Sequence, residues 1–269
     1  MRRPVLRREG FGRRARRPRR TISVLHLMPN LVTILGLCAG LTSIRFALTG
    51  QWEIAAALII FAAVLDGLDG LIARKLNAAS PFGAELDSLS DFVNFGVAPA
   101  VLIYAFALTG LGGAGWVFVL VFAIGCCLRL ARFNVGRTAP DAPTRTHFTG
   151  VPAPAGALLG LFPLFIALDG VVPVTAAPWA VALWLGVVGA LMVSRLATLS
   201  PKALRIPRER APWVLFALAV IIGIGFTRFW LLMVLGCLAY LGTLVYAAMQ
   251  RGRPGVGPET PRQTGGDGG

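Results

Sequence analysis

A chain of 269 residues with 56% hydrophobic content and a mean hydropathy of +0.72 does not read as an ordinary water-soluble domain. Its apolar stretches are continuous rather than alternating in segments of about 10 residues, which excludes a transmembrane β-barrel. The net charge of +14 would suggest a nucleic-acid ligand in a soluble protein; here the basic residues crowd between apolar runs, so they read as membrane topology and attraction to anionic lipid, and nucleic acid is set aside.

Residues 1–24 form a basic tail: ten of the 26 Lys and Arg lie between Met1 and Arg20, with no apolar periodicity. The tail followed by an apolar run mimics a signal peptide, but that run is too long for an h-region and no A-x-A site follows, so it is read as retained. Eight spans are expected, at roughly 28–48, 53–73, 86–108, 115–135, 152–169, 178–194, 212–226 and 229–249. Together they make an all-α polytopic helical bundle over residues 25–249. Residues 250–269, rich in Gly, Pro and Thr, read as a disordered tail. With the N-terminus cytoplasmic, an even number of spans puts 24 of the 26 basic residues on the cytoplasmic side or at span ends facing it, leaving Arg45 and Arg228 on or near the other. The expected location is the inner membrane of a bacterium. The four cysteines, Cys38, Cys126, Cys127 and Cys237, fall in apolar segments without metal-ligand spacing and read as packing residues.

Spans two and three carry what the composition does not explain. Asp66, Asp69, Asp87 and Asp91 lie in or beside apolar sequence, whereas the other three aspartates, Asp141, Asp169 and Asp267, fall in polar or Pro/Gly-rich segments. A carboxylate at membrane depth costs several kcal/mol without compensation and marks a functional site by default. Asp66, Asp69, Gly70 and Ala73 share one helical face, as do Asp87 and Asp91, and Ser80-Pro81-Phe82-Gly83 supplies a turn between them. At about 1.5 Å per residue, Asp66 and Asp91 lie about 12 Å in from the loop, and Asp69 and Asp87 about 6–8 Å. Clustered carboxylates fit hard divalent ions, which suit a pyrophosphate ligand, while a carboxylate left free of metal can take a proton from an attacking hydroxyl. The competing readings are carboxylates paired with Arg for packing, which Arg74 and Lys75 are too few to satisfy, and a cation-coupled transporter, for which neither repeated halves nor broken mid-membrane helices are evident.

The run Asp66-x2-Asp69-Gly70-x2-Ala73-Arg74-x8-Gly83-x3-Asp87-x3-Asp91 resembles the complete signature of the CDP-alcohol phosphatidyltransferases, all eight specified positions included. The resemblance implies transfer from a CDP-activated lipid or alcohol with CMP leaving, a requirement for Mg2+ or Mn2+ at a two-metal site, and a homodimer. It implies Asp66, Asp69 and Asp87 as metal ligands, with Asp91 both a ligand and the candidate general base. It puts Gly70, Ala73 and Arg74 on the CDP side, with Gly83 positioning the loop.

Three further segments narrow the resemblance. Pro29-Asn30-x2-Thr33 is similar to the nucleotide-side motif of the family, which assigns Asn30 and Thr33 to substrate binding. Phe95–Ala100, Arg129-x2-Arg132-Phe133-Asn134 and Phe148–Ala155 resemble the membrane-bound phosphatidylserine synthases of that family. The implied substrates are CDP-diacylglycerol and L-serine; glycerol-3-phosphate, inositol phosphate and choline are the alternative acceptors. Arg129, Arg132 and Asn134 are the residues for a serine carboxylate or lipid phosphate, although both arginines also suit the role of topology anchors. Asn94, one turn beyond Asp91, is a further position facing the acceptor.

Overall fold

A computed structural model describes residues 27–76, 80–138, 148–170, 174–194, 197–198 and 211–251. The tail at residues 1–24, Arg145, His147, the basic residues from Arg195 to Arg210 and residues 252–269 lie outside them. Helices cover each of the eight expected segments: α1 (Met28–Leu48), α2 (Trp52–Lys75), α3 (Pro81–Leu111), α4 (Gly113–Thr138), the pair α5 (Ala153–Gly160) and α6 (Phe162–Leu168), α7 (Pro178–Val193), α8 (Ala211–Thr227) and α9 (Phe229–Arg251). Five of them, α1 to α4 and α9, are long and apolar enough to cross a membrane. The strands β1 (Phe148–Thr149) and β2 (Ala197–Thr198) pair antiparallel, drawing the segment after α4 toward the one after α7.

Two elements depart from the expected boundaries for readable reasons. Helix α3 begins at Pro81, five residues early, because Ser80 caps it: Gly83 N–H donates to Ser80 Oγ at 3.0 Å, and Pro81 takes the first-turn position where its missing N–H costs nothing. Gly83 therefore stands in the first turn of a helix rather than in a loop, and it is small because Asn30 packs on it; a Cβ there would lie 2.7 Å from Asn30 Oδ1. The fifth expected span is divided at Leu161, where Pro163 opens α6 without an N–H to continue the ladder.

Small residues set the packing, as expected where lipid removes most of the hydrophobic drive between helices. The buried stripe of α1 is Pro29, Thr33, Gly36, Ala39, Gly40, Ser43 and Ala47, lying against the Ala-rich face of α2, with Ser43 Oγ donating to the Ala55 carbonyl at 2.8 Å. Helix α3 contains π-helical turns at Phe92–Val97 and Tyr104–Leu108. The first of these holds Asn94, 2% exposed, whose amide rests on Gly40 and donates to Ser90 Oγ at 3.2 Å. Gly40→Ala would drive a methyl into that amide, so it is expected to destabilise the protein by about 1–3 kcal/mol. Thermal unfolding in detergent should show this loss, and Asn94→Ser in the same chain should recover part of it.

On the other side of the bundle α4 and α7 meet backbone to backbone at Gly125 and Gly189. Helix α9 covers α6, where Phe165 stacks on Trp230 with centroids 5.9 Å apart. Arg228, in the turn before α9, pairs with Asp169 at the end of α6 (3.4 Å). The four cysteines are free; Cys126 and Cys237 are buried, whereas Cys38 and Cys127 are exposed.

Candidate active site

Helices α1, α2 and α3 converge on a cavity of about 420 Å3 at one end of the bundle. Its walls carry Asp66, Asp69 and Asp87, and one carboxylate oxygen from each lies within 4.8 Å of the others. The helical repeat explains the arrangement. The Asp66–Asp69 spacing sets two carboxylates one above the other on α2, and the cap at Ser80 fixes the start of α3 so that Asp87 faces them. Asp69 is only 5% exposed and accepts a hydrogen bond from Thr33 Oγ1 at 2.7 Å, which ties the cluster to α1. Three acidic groups this close repel one another strongly, and an all-oxygen donor set matches a hard divalent cation.

Asp91 lies one helical turn beyond Asp87, with its carboxyl in hydrogen-bonding contact with that of Asp66. The Arg129 guanidinium, from α4, sits within electrostatic range of both carboxyls. Arg132 does something else: its Nη1 donates to the Val193 carbonyl at 2.8 Å, closing the end of α7. Asn134 is turned toward α3, where its Nδ2 donates to Ser88 Oγ at 2.9 Å while the Ser88 hydroxyl donates to the Ala84 carbonyl. Beneath the carboxylates Ser90 donates to the Thr33 carbonyl at 3.3 Å, joining α3 to α1.

Of the residues singled out from sequence, Asn30, Thr33, Asp66, Asp69, Gly70, Ala73, Arg74, Gly83 and Asp87 all line the cavity. Asp91 adjoins the three carboxylates without lining the cavity and Arg129 is within electrostatic range of Asp91, while Arg132 and Asn134 make the helix-to-helix bonds just described. Phe133, unassigned by sequence reasoning, is also on the cavity wall. The only signal for it was adjacency to Arg132 and Asn134, and nothing in an apolar span marks which aromatic faces a cavity.

A family model for CDP-alcohol phosphatidyltransferases matches residues 26–192. The chain belongs to this family. The CDP-diacylglycerol–serine O-phosphatidyltransferase of Mycobacterium leprae is 44% identical over 207 residues, 76% of this chain and 68% of that protein. Its namesake in Mycobacterium bovis is 37% identical over 245 residues, 89% and 85% of the two chains. The one from Bacillus subtilis is 39% identical over 130 residues, 48% of this chain and 71% of that one. The family match begins just ahead of the Pro29-Asn30 pair and ends at the close of α7, so it takes in the whole carboxylate cavity and leaves α8 and α9 outside.

Proposed function

We propose that the protein transfers the phosphatidyl group of CDP-diacylglycerol to the hydroxyl of L-serine, giving phosphatidylserine and CMP. The observation that carries this reading is the meeting of Asp66, Asp69 and Asp87 within 4.8 Å on one cavity, with Asp91 in contact with Asp66 and Arg129 within electrostatic range of both. The names of the mycobacterial and Bacillus relatives support serine as the acceptor.

Asp66, Asp69 and Asp87, together with Asp91, would hold the divalent metal, Mg2+ or Mn2+. When bound, the metal neutralises the diphosphate and polarises the phosphorus that is attacked. Asn30, Thr33, Gly70, Ala73, Gly83 and Arg74 receive the cytidine diphosphate part, with Gly70 and Ala73 leaving room for the phosphates and Arg74 offering a guanidinium to them. Asp91 accepts the proton of the serine hydroxyl as its oxygen bonds to the phosphorus carrying the diacylglycerol. The bond from that phosphorus to the bridging oxygen breaks, and CMP departs with the electron pair. Arg129 offsets the negative charge beside Asp91 and can receive the serine carboxylate or the lipid phosphate. Among the described residues no activated protein nucleophile stands at the site, which favours direct attack.

The site opens to the cytoplasmic face, where serine and CMP are soluble, and the acyl chains arrive from the inner leaflet. The protein works as a homodimer in the inner membrane of a bacterium. Purified protein given CDP-diacylglycerol should release CMP with L-serine in preference to glycerol-3-phosphate, inositol phosphate or choline. Preference for any of the others would reassign the acceptor, and solute uptake with no CMP formed would remove the enzyme reading altogether. Chelation with EDTA should abolish release, and added Mg2+ or Mn2+ should restore it.

A further inference from the structure

Helix α9 lies beyond the stretch matched by the family model, yet it carries a polar group aimed inward. The Tyr240 hydroxyl is buried with no hydrogen-bond partner among the described residues. Burying a phenol in this way is unfavourable unless something completes it. The hydroxyl stands within electrostatic range of Arg129, the same guanidinium that faces Asp66 and Asp91.

Below Tyr240 a cavity of about 240 Å3 lies between α9 and the α5–α6 pair, walled by Met233, Gly236 and Cys237 on one side and Leu158, Leu159 and Phe165 on the other. Met233, Gly236, Cys237 and Tyr240 fall at i, i+3, i+4 and i+7, one face of the helix. At Gly236 a Cβ would meet nothing within 4 Å, so this position opens into space rather than onto a neighbour. The Cys237 thiol is already occupied by the Leu158 carbonyl at 3.6 Å, which leaves the phenol as the polar group on this wall without a partner among the described residues.

The direction of the cavity is fixed by its two ends. Arg228, just before α9, is pinned to Asp169 at the end of α6, so the Phe229 end of α9 is the end remote from the carboxylates. At 1.5 Å per residue, Asp91 lies roughly 15 Å from the Pro81 end of α3, Arg129 roughly 14 Å from the Thr138 end of α4, and Tyr240 roughly 16 Å from the Arg251 end of α9. All three therefore share one tier, and the cavity runs from that tier deeper into the bilayer. Carboxylates, guanidinium, lone hydroxyl and apolar slot follow in the order of polarity of a phospholipid: phosphate, then ester, then acyl chain.

We propose that this cavity receives one fatty-acyl chain of the donor lipid, with the Tyr240 hydroxyl donating a hydrogen bond to that chain's ester carbonyl. The inference rests on the reaction proposed above, since it takes CDP-diacylglycerol as the donor. A water-soluble acceptor such as serine has no part that matches walls of Leu, Phe and Met.

The test compares CDP-dioleoylglycerol with CDP-dihexanoylglycerol in purified parent, Tyr240→Phe and Gly236→Leu proteins, scoring CMP release at saturating serine. Tyr240→Phe, which removes only the hydroxyl, should raise KM for both donors by about fivefold to tenfold while leaving KM for serine unchanged. Gly236→Leu fills the slot and should lower kcat/KM for the long-chain donor at least about tenfold, and for the short-chain donor far less. A CDP-diacylglycerol with a diazirine in its acyl chain should, on irradiation, label the parent between Met233 and Tyr240 or between Ala155 and Phe165, a readout that needs no turnover. Labelling confined to other helices, an unchanged ratio of long- to short-chain donor, or a Tyr240→Phe effect on serine alone would overturn the assignment. Absence of CMP release from the parent with either donor would instead strike the reaction itself, leaving the labelling to judge the cavity.

Discussion

Replacing Asp91 with asparagine is expected to lower CMP release by about a thousandfold, within the range of a lost general base. The substitution keeps the shape of the side chain and removes its capacity to hold the proton of an attacking hydroxyl. Binding of CDP-diacylglycerol, followed by titration of the purified variant, should survive, because Asp66, Asp69 and Asp87 still converge on the cavity and Thr33 still anchors Asp69. The loss should fall on kcat rather than on KM for the donor. Asp69→Asn supplies the contrast: it weakens the cluster itself, so it should raise the concentration of Mg2+ or Mn2+ needed for half-maximal activity. Should Asp91→Asn retain a tenth or more of the activity, another group must take the proton.

What the sequence disclosed depended on whether the determinant was local. The carboxylate pairs on α2 and α3 were legible because helical repeat and spacing alone set which residues share a face. The start of α3 was missed by five residues because hydropathy sees neither the Ser80 cap nor the tolerance of a first turn for Pro81, although Ser-Pro-x-Gly carried both signals. Arg129 and Arg132, one turn apart on α4, look equivalent in sequence. Only the position of α7 separates them, giving Arg132 a carbonyl to cap and leaving Arg129 facing the carboxylates. Asn94 looked like a polar group available to an acceptor, but the notch at Gly40 on α1 takes its amide. Phe133 and Tyr240 were hidden for a related reason. An aromatic residue in an apolar span reads as packing until the helix opposite is known, and for Tyr240 that helix is some eighty residues away, near Leu158.

The second large effect belongs to a residue with no side chain. A Cβ on Gly125 would lie 2.5 Å from the Gly189 carbonyl oxygen and 3.1 Å from its Cα, and backbone cannot swing aside as a side chain can. Gly125→Val would therefore force α4 and α7 apart, at a cost of about 3 kcal/mol. The damage should extend beyond stability: Arg129 stands one turn along α4 from Gly125, and the Arg132 bond to Val193 spans the same pair of helices. A shift of an ångström in α4 would move the guanidinium relative to Asp66 and Asp91, a displacement sufficient to cost about a hundredfold in rate. The expected result is a lower unfolding temperature in detergent, together with loss of CMP release well below that temperature. Gly136→Ala, on the same helix but with open space where the methyl would go, should leave both measurements near the parent values. If Gly125→Val unfolds at the parent temperature and still turns over normally, the close approach of α4 and α7 is not what holds Arg129 in place.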